Sequence, residues 1–261
     1  MPYTTYAIGD VHGRADLLEP LLAAISIEAE TSGSDARVLF LGDIVDRGPA
    51  SRQALNLVCD TLERWPKSQL IRGNHDAYFM DFMTAEVVDE TRFTTWLLRL
   101  GGYDTLESYG LLAVDDIAEA AARFRAEFPR HVQALRNSLP IVADQRFAYV
   151  HAGIDPSRAM PDQDPNDLMM IRDRFLEYDS RLPHVFVHGH TPTKNHLPEF
   201  KRWRIGIDTR AYASGRLTCL AVSADERNLH LLFATLADGR VNITCERLAR
   251  DRLPSLEDEV S

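Results

Sequence analysis

With 261 residues, 45% of them hydrophobic and 26% charged, the chain has the composition of an ordinary soluble globule, and one α/β domain with an insertion is favoured over two independent domains. Lys and Arg number 29 against 39 Asp and Glu, a formal charge of −10, which argues against the broad basic footprint of non-specific nucleic-acid binding. Cys59, Cys219 and Cys245 are too few and too scattered for a thiolate metal site or a disulfide framework, and read as reduced thiols of a cytoplasmic protein.

A first strand is expected at 4–8, and Asp10 follows it too early to leave room for a secretory signal. Leu17, Leu18, Leu21, Leu22 and Ile25 recur at helical spacing and predict a helix over 15–30, closed by Thr31-Ser32-Gly33-Ser34. A second strand at 38–41, a helix at 52–64 with Leu55, Val58 and Leu62 inward, and a third strand at 69–71 complete a βαβαβ pattern. Strands so connected should be parallel, with their loops opening on one edge.

From 77 to 139 the alternation breaks. Phe79, Phe82, Met83, Val87, Phe93, Trp96, Leu97 and Leu100 lie at helical spacing, Gly101-Gly102 interrupts, and an alanine-rich helix at 117–128 ends before Pro129. This reads as a helical insertion whose Met and aromatic stripe is core rather than a cofactor pocket, placed to form a wall that selects substrates. The sheet should resume at 147–150, followed by a helix at 167–178 and a strand at 184–187. The short runs at 203–207, 217–222, 229–233 and 241–245 suggest an antiparallel meander, with Ala237-Asp238-Gly239 as a hairpin turn and a second sheet packed on the first. One domain over 1–253 and an acidic, frayed tail at 254–261 are expected. No apolar run approaches the roughly 20 residues that cross a bilayer, so no membrane partner is expected.

Chemistry concentrates where strands end. Leu39-Phe40-Leu41-Gly42-Asp43-Ile44-Val45-Asp46-Arg47-Gly48 is an apolar run that stops at glycine and delivers two carboxylates and a guanidinium. Taken alone it could be an acidic turn capping the next helix through Asp46 or Ser51. The same grammar recurs at Gly9-Asp10-Val11-His12-Gly13, Gly73-Asn74-His75-Asp76, His151-Ala152-Gly153 and Gly189-His190-Thr191. Oxygen and imidazole donors without cysteine suit a pair of divalent transition metals. His131, His184, His196 and His230 read as ordinary hydrogen-bonded histidines; His188 and Asp208 are either partners of a ligand or satisfied core groups.

In this order the five motifs resemble the calcineurin-like metallophosphoesterases, and within them the bacterial phosphoprotein phosphatase branch, over residues 10–209. The resemblance implies a four-layer α/β/β/α sandwich carrying two divalent metal ions, manganese first among manganese, iron and zinc. Asp10 and His12 would hold the first ion, Asn74, His151 and His190 the second, and Asp43 would bridge both. His75 would be the general acid, oriented by Asp46; Arg47 would grip the phosphate, and Arg172 matches a second phosphate-binding arginine, with Arg174 as fallback. Arg172 and Arg174 could equally pair with Asp173 or Glu177 on a helix. Three departures stand out: Pro192 where the wider family often has a further histidine, Asp76 where many protein phosphatases have glutamate, and Arg210 where bacterial relatives usually have glycine. The implied activity is hydrolysis of a phosphate monoester, foremost phosphoserine or phosphothreonine in proteins, by attack of a metal-activated water. A dinucleoside-tetraphosphate substrate is the nearest alternative, a metal-bound scaffold without turnover is the alternative of another class, and a nuclease is disfavoured by the acidic charge.

Overall fold

In the computed structural model, which describes residues 3–84, 89–112 and 117–249, two sheets lie face to face with helices on their outer sides. Val87, the end of the domain at 253 and the tail at 254–261 lie outside the described residues. The first half follows the βαβαβ expectation: β1 (Tyr3–Ile8), α1 (Ala15–Ser32), β2 (Asp35–Phe40), α2 (Ser51–Arg64) and β3 (Gln69–Leu70), with β1, β2 and β3 parallel neighbours. The α1 helix runs past Thr31 because the left-handed residue that ends it is Gly33, at φ 64°.

Side chains of the parallel strands alternate between two interiors. Tyr6, Ile8, Val38 and Phe40 face the helices, whereas Ala7, Leu39 and Leu41 face the second sheet. Both faces are buried, which is why these strands read as unbroken apolar runs. Leu39 and Leu41 are fully enclosed, and each such burial contributes roughly 1.5–3 kcal/mol relative to exposure.

The helical segment expected from 77 begins at Asn74, shortly after β3. It comprises α3 (Asn74–Thr84), α4 (Glu90–Thr95), a π-helical turn Trp96–Leu100, α5 (Gly102–Tyr109), α6 (Ile117–Glu127) and α7 (Pro129–Arg136). Phe79, Phe82, Met83 and Trp96 are buried in the same cluster as the helix-facing side of β1 and β2, so the aromatic stripe is core.

The second half departs from expectation in three ways. First, β5 (Phe147–Val150) does not rejoin the first sheet; with β4 (Ile141–Ala143), β6 (Val185–His188), β7 (Glu199–Phe200) and β8 (Arg204–Gly206) it builds a second one, ordered β4-β5-β6-β8-β7. Second, the 203–207 run is no part of a meander: β8 pairs in parallel with β6. Only β9 (Arg216–Val222), β10 (Leu229–Ala237) and β11 (Arg240–Arg247) form the antiparallel meander, and it extends the first sheet through β1. Period-two patterning tells which face of a strand is buried, not which strand lies beside it. The β10–β11 hairpin turns as expected, with Asp238 and Gly239 at φ 51° and 72°, the pair of left-handed residues a two-residue hairpin takes.

Third, the helix expected over 167–178 is two short ones, α8 (Pro165–Met170) and α9 (Asp173–Leu176). Ile171 is extended at ψ 144° and Arg172 sits at φ −131°, ψ −107°, a break that accompanies burial of Ile171 in the cluster outside the second sheet. Among the described residues no helix is long and apolar enough to cross a membrane. The three cysteines are free, with Cys59 and Cys219 buried and Cys245 exposed.

Candidate metal centre

Parallel strands put their carboxyl ends together, and here both sheets contribute. The loop after β1 carries Asp10 and His12, and the loop after β2 carries Asp43, Asp46 and Arg47; Asn74 and His75 follow β3. The second sheet adds His151 after β5, His190 after β6 and Asp208 after β8. Crevices outside the carboxyl ends of parallel strands are where open α/β sheets bind ligands. The loops touch closely: a Cβ on Gly73 would lie 2.2 Å from both the amide nitrogen and Oδ1 of Asp43. His12, Asp43, Asp46, Arg47 and His190 all have positive φ, between 45° and 72°. For side-chain-bearing residues such backbone costs about 1–3 kcal/mol each and concentrates at functional sites.

Asp43 is at the centre, buried and divided between two groups. Its Oδ2 is 3.6 Å from His12 Nε2 and 4.0 Å from His75 Nε2, and its Oδ1 is 3.4 Å from His151 Nε2. His12 donates Nδ1–H to the Val45 carbonyl at 2.8 Å and His151 donates Nδ1–H to the Leu41 carbonyl at 2.7 Å. With Nδ1 so engaged, Nε2 of each ring faces an Asp43 oxygen: a lone pair on His12, whose ring is neutral, and an N–H on His151, whose ring Asp43 keeps protonated. Asn74 Oδ1 lies 3.1 Å from His151 Nε2 and 2.9 Å from His190 Nδ1, while His190 Nε2 has no partner among the described residues. Candidate ligand atoms of His12, Asp43 and His75 lie within 4.8 Å of one another, as do those of Asp43, His151 and His190. The His12 Nε2 lone pair, the unpartnered His190 Nε2 and the Asp43 carboxylate converge in a buried crevice, and this set of imidazole, amide and carboxylate donors fits a pair of divalent ions once the His151 proton is displaced.

Burial pushes the His12 and His190 imidazoles down to about 3, so both are neutral donors. Burial opposes charge on Asp43 too, but the His151, His75 and His12 rings outweigh it and hold its carboxyl well below the usual range. Burial pulls His151 down, but the neighbouring Asp43 carboxylate overrides it and raises the ring to about 10.

Beside this cluster stands a second arrangement. His75 Nδ1 is 2.7 Å from Asp46 Oδ2, and its Nε2 is 3.1 Å from Arg47 Nη2, which fixes the ring with Nδ1–H toward the carboxylate. Burial lowers His75, but Asp43 and Asp46 outweigh it and its pKa stands above the ordinary histidine value.

Asp46, fully buried, receives further hydrogen bonds that sequence patterns do not reveal: Trp96 Nε1–H donates to Oδ2 at 2.8 Å and Thr105 Oγ1 to Oδ1 at 2.7 Å. The insertion thus clamps the carboxylate that orients His75. It also holds Arg47, whose amide donates to the Gly101 carbonyl at 3.2 Å; at φ 95° Gly101 has no room for a Cβ, which would lie 2.4 Å from Arg47 N. Asp76 was singled out only as a departure from family pattern. Its Oδ1 accepts the Ile44 amide at 2.9 Å and its Oδ2 the Gly73 amide at 3.4 Å, tying the second and third loops together.

Asp10 is buried in the same crevice but outside both groups, its two oxygens accepting the His190 amide at 3.2 and 3.1 Å. Arg172 is exposed, with Nη1 3.5 Å from Thr191 Oγ1 beside His190, and among the described residues it pairs with neither Asp173 nor Glu177. Arg174 instead pairs with Asp155 at 3.1 Å and Asp167 at 2.9 Å. His131 is an ordinary buried histidine between Tyr109 and Asn56, and His230 contacts Glu28. His188 is buried with Nδ1 3.1 Å from the Gly189 carbonyl, and Asp208 accepts the Arg210 amide at 2.7 Å.

The asymmetrical bis(5'-nucleosyl)-tetraphosphatase PrpE of Halalkalibacterium halodurans is 25% identical over 233 residues, covering 82% of this chain and 87% of that protein. A symmetrical bis(5'-nucleosyl)-tetraphosphatase of Dechloromonas aromatica is 30% identical over 152 residues, 58% of this chain and 44% of its own, so the match spans less than half of that relative. Among solved structures, a putative diadenosine tetraphosphatase superposes with a TM-score of 0.55 at 20% identity over 94% of both chains. The cold-active protein tyrosine phosphatase of a psychrophilic Shewanella gives 0.55 at 18% identity, over 95% of this chain and 80% of its own. At these identities the structures testify to the fold. The sequence pattern described as calcineurin-like phosphoesterase matches residues 3–206, more than half of the chain, and the protein belongs to that family.

Proposed function

We propose that this protein hydrolyses phosphoesters at a two-metal centre, with Asp10 and His12 on one ion, Asn74, His151 and His190 on the other and Asp43 shared. The observation that carries this reading is the buried Asp43 carboxylate, one oxygen toward His12 and the other toward His151, beside a hydrogen-bonded His75–Asp46 pair. When bound, two divalent ions, manganese in the first instance, would polarise the phosphoryl oxygens and activate a water for in-line attack.

The chain's own groups do the rest. Arg47 offers paired donors to the phosphoryl oxygens, which a lysine could not match. Its Nη2 now faces His75 Nε2, so engaging substrate draws the guanidinium away from that nitrogen. His75, raised by its carboxylate neighbours, then holds a proton at Nε2 and passes it to the leaving oxygen, while Asp46 keeps Nδ1–H in place. A non-catalytic scaffold would have no need of Arg47, His75 and Asp46 in this relation.

For the substrate, the dinucleoside-tetraphosphate reading draws support from the tetraphosphatase relative that aligns along most of both chains. The phosphoserine or phosphothreonine reading rests on motif order and on fold likeness to protein phosphatases. The two are separated by comparing kcat/KM of the manganese-loaded protein on diadenosine tetraphosphate and on a phosphoserine peptide. A preference of about tenfold or more for the tetraphosphate, a difference of ~1.4 kcal/mol, supports the first reading, and the reverse preference supports the second. Turnover of neither, nor of p-nitrophenyl phosphate, would remove the hydrolase reading.

A further inference from the structure

Arg210 begins the short α10 (Ala211–Ser214) in a left-handed conformation, φ 60° and ψ 49°, which glycine adopts without strain and arginine does not. The backbone there is anchored by the Arg210 amide on the buried Asp208 carboxylate. The side chain is exposed, and its Nε–H donates to Tyr212 Oη at 2.9 Å. Among the described residues neither Nη group makes a hydrogen bond, and Arg210 enters no ion pair, so four N–H donors face solvent in a chain of net charge −10.

Tyr212 connects this free cation to the centre. The Arg210 guanidinium carbon lies 5.6 Å from the Tyr212 ring centroid, and that of Arg47 lies 4.7 Å from the same centroid. The ring also meets His12 edge-on at 5.3 Å. Arg47 and Arg210 therefore share one aromatic ring, and their guanidinium carbons are close enough for a chain of phosphoryl groups to span both. A strained backbone holding an unpaired guanidinium beside a phosphate-binding one is the pattern of a subsite.

We propose that Arg210, positioned by Tyr212, binds a second phosphoryl group of the substrate, next to the one that Arg47 holds, and so selects polyphosphate chains over simple monoesters. The proposal rests on the phosphoesterase reading above. It assigns specificity to a residue of this chain at a place where its motif departs from the glycine of the bacterial pattern.

The test is direct binding to the manganese-saturated protein. Inorganic tripolyphosphate and orthophosphate are titrated by calorimetry into the wild type, R210G and R210K, with free manganese held constant. Glycine suits the positive φ, so R210G removes the guanidinium without straining the fold, and its Tm should not fall. The Kd for tripolyphosphate should rise about tenfold in R210G while that for orthophosphate changes by less than about twofold, the scale of one charged hydrogen-bonding group. R210K should recover part of the loss, because it restores charge without the planar fork. Equal losses for both ligands, or no loss for tripolyphosphate, would overturn the subsite. Turnover of p-nitrophenyl phosphate by the wild type reports separately on the phosphoesterase reading, so a failed subsite and a failed hydrolase give different results.

Discussion

Replacing Trp96 by phenylalanine removes one hydrogen-bond donor from Asp46 and keeps an aromatic ring in the core. Asp46 is fully buried and receives three side-chain donors, Trp96 Nε1–H at 2.8 Å, His75 Nδ1–H at 2.7 Å and Thr105 Oγ1–H at 2.7 Å. A hydrogen bond to a charged group contributes about 1.5–3 kcal/mol, and the loss is felt more where water cannot replace the donor. In a chain of 261 residues that corresponds to a fall in Tm of roughly 3–12 °C. Burial already raises the Asp46 carboxyl above its ordinary value, while the bonds from His75, Thr105 and Trp96 act to lower it. Losing one of them moves that pKa further up, by about one unit per 1.4 kcal/mol. A carboxyl that is harder to ionise in the folded state than in the unfolded one costs stability as pH rises through the interval between the two values, so the W96F deficit should be larger at pH 8 than at pH 4. Because ionised Asp46 orients His75, the acid limb of kcat/KM on p-nitrophenyl phosphate should also shift upward in pH. Calorimetry across pH and a pH–rate profile measure both effects. A lower Tm with an unmoved acid limb would reduce Trp96 to packing, and no change in either would refute the clamp.

His75→Asn should retain its metal content but lose about 10²–10⁴ in kcat on esters with poor leaving groups, and much less on p-nitrophenyl phosphate, whose leaving group needs little protonation. Equal losses on both kinds of ester would take the general-acid role away from His75. Chelation with EDTA should lower the Tm of the manganese-loaded protein by roughly 6–15 °C, since ions present at 100–1,000 times their Kd stabilise by about 3–4 kcal/mol. An unchanged melting curve would argue that the converging acceptors hold no ion.

What was legible in the sequence was what depends on neighbours along the chain. The strand ends announced themselves because Leu39-Phe40-Leu41 and Tyr149-Val150 are apolar on both faces and stop at glycine or histidine, and β1, α1, β2, α2 and β3 fell close to their expected places. Pairing across the molecule was not legible. Nothing in Trp203 to Ile207 distinguishes a strand parallel to β6 from one in a meander, and nothing in Leu217-Thr218-Cys219-Leu220 says that it will pair with β1. The interruption at Ile171-Arg172 was hidden for a similar reason, because Met169, Met170 and Ile171 continue a helical apolar pattern that tertiary packing breaks.

In the site, His12, Asp43, Asn74, His151 and His190 could be found because their chemistry is unusual for strand-end loops. Trp96 and Thr105 could not. Trp96 is a core residue by spacing and by burial, and only its ring N–H does anything for Asp46. A single hydrogen bond from an otherwise apolar side chain leaves no mark in periodicity. Asp76 was visible, but only as a departure from family pattern; its bonds to the Ile44 and Gly73 amides show that it fastens two loops of the candidate centre together.

The most direct test of the shared carboxylate is the metal content of Asp43→Asn, measured by elemental analysis beside the wild type after identical manganese loading. The amide keeps the shape of the aspartate but withdraws the negative oxygen that faces each group, so the wild type should hold two ions per chain and the variant should lose both. A folded variant that still carries two ions would contradict the bridge on which the proposed chemistry stands.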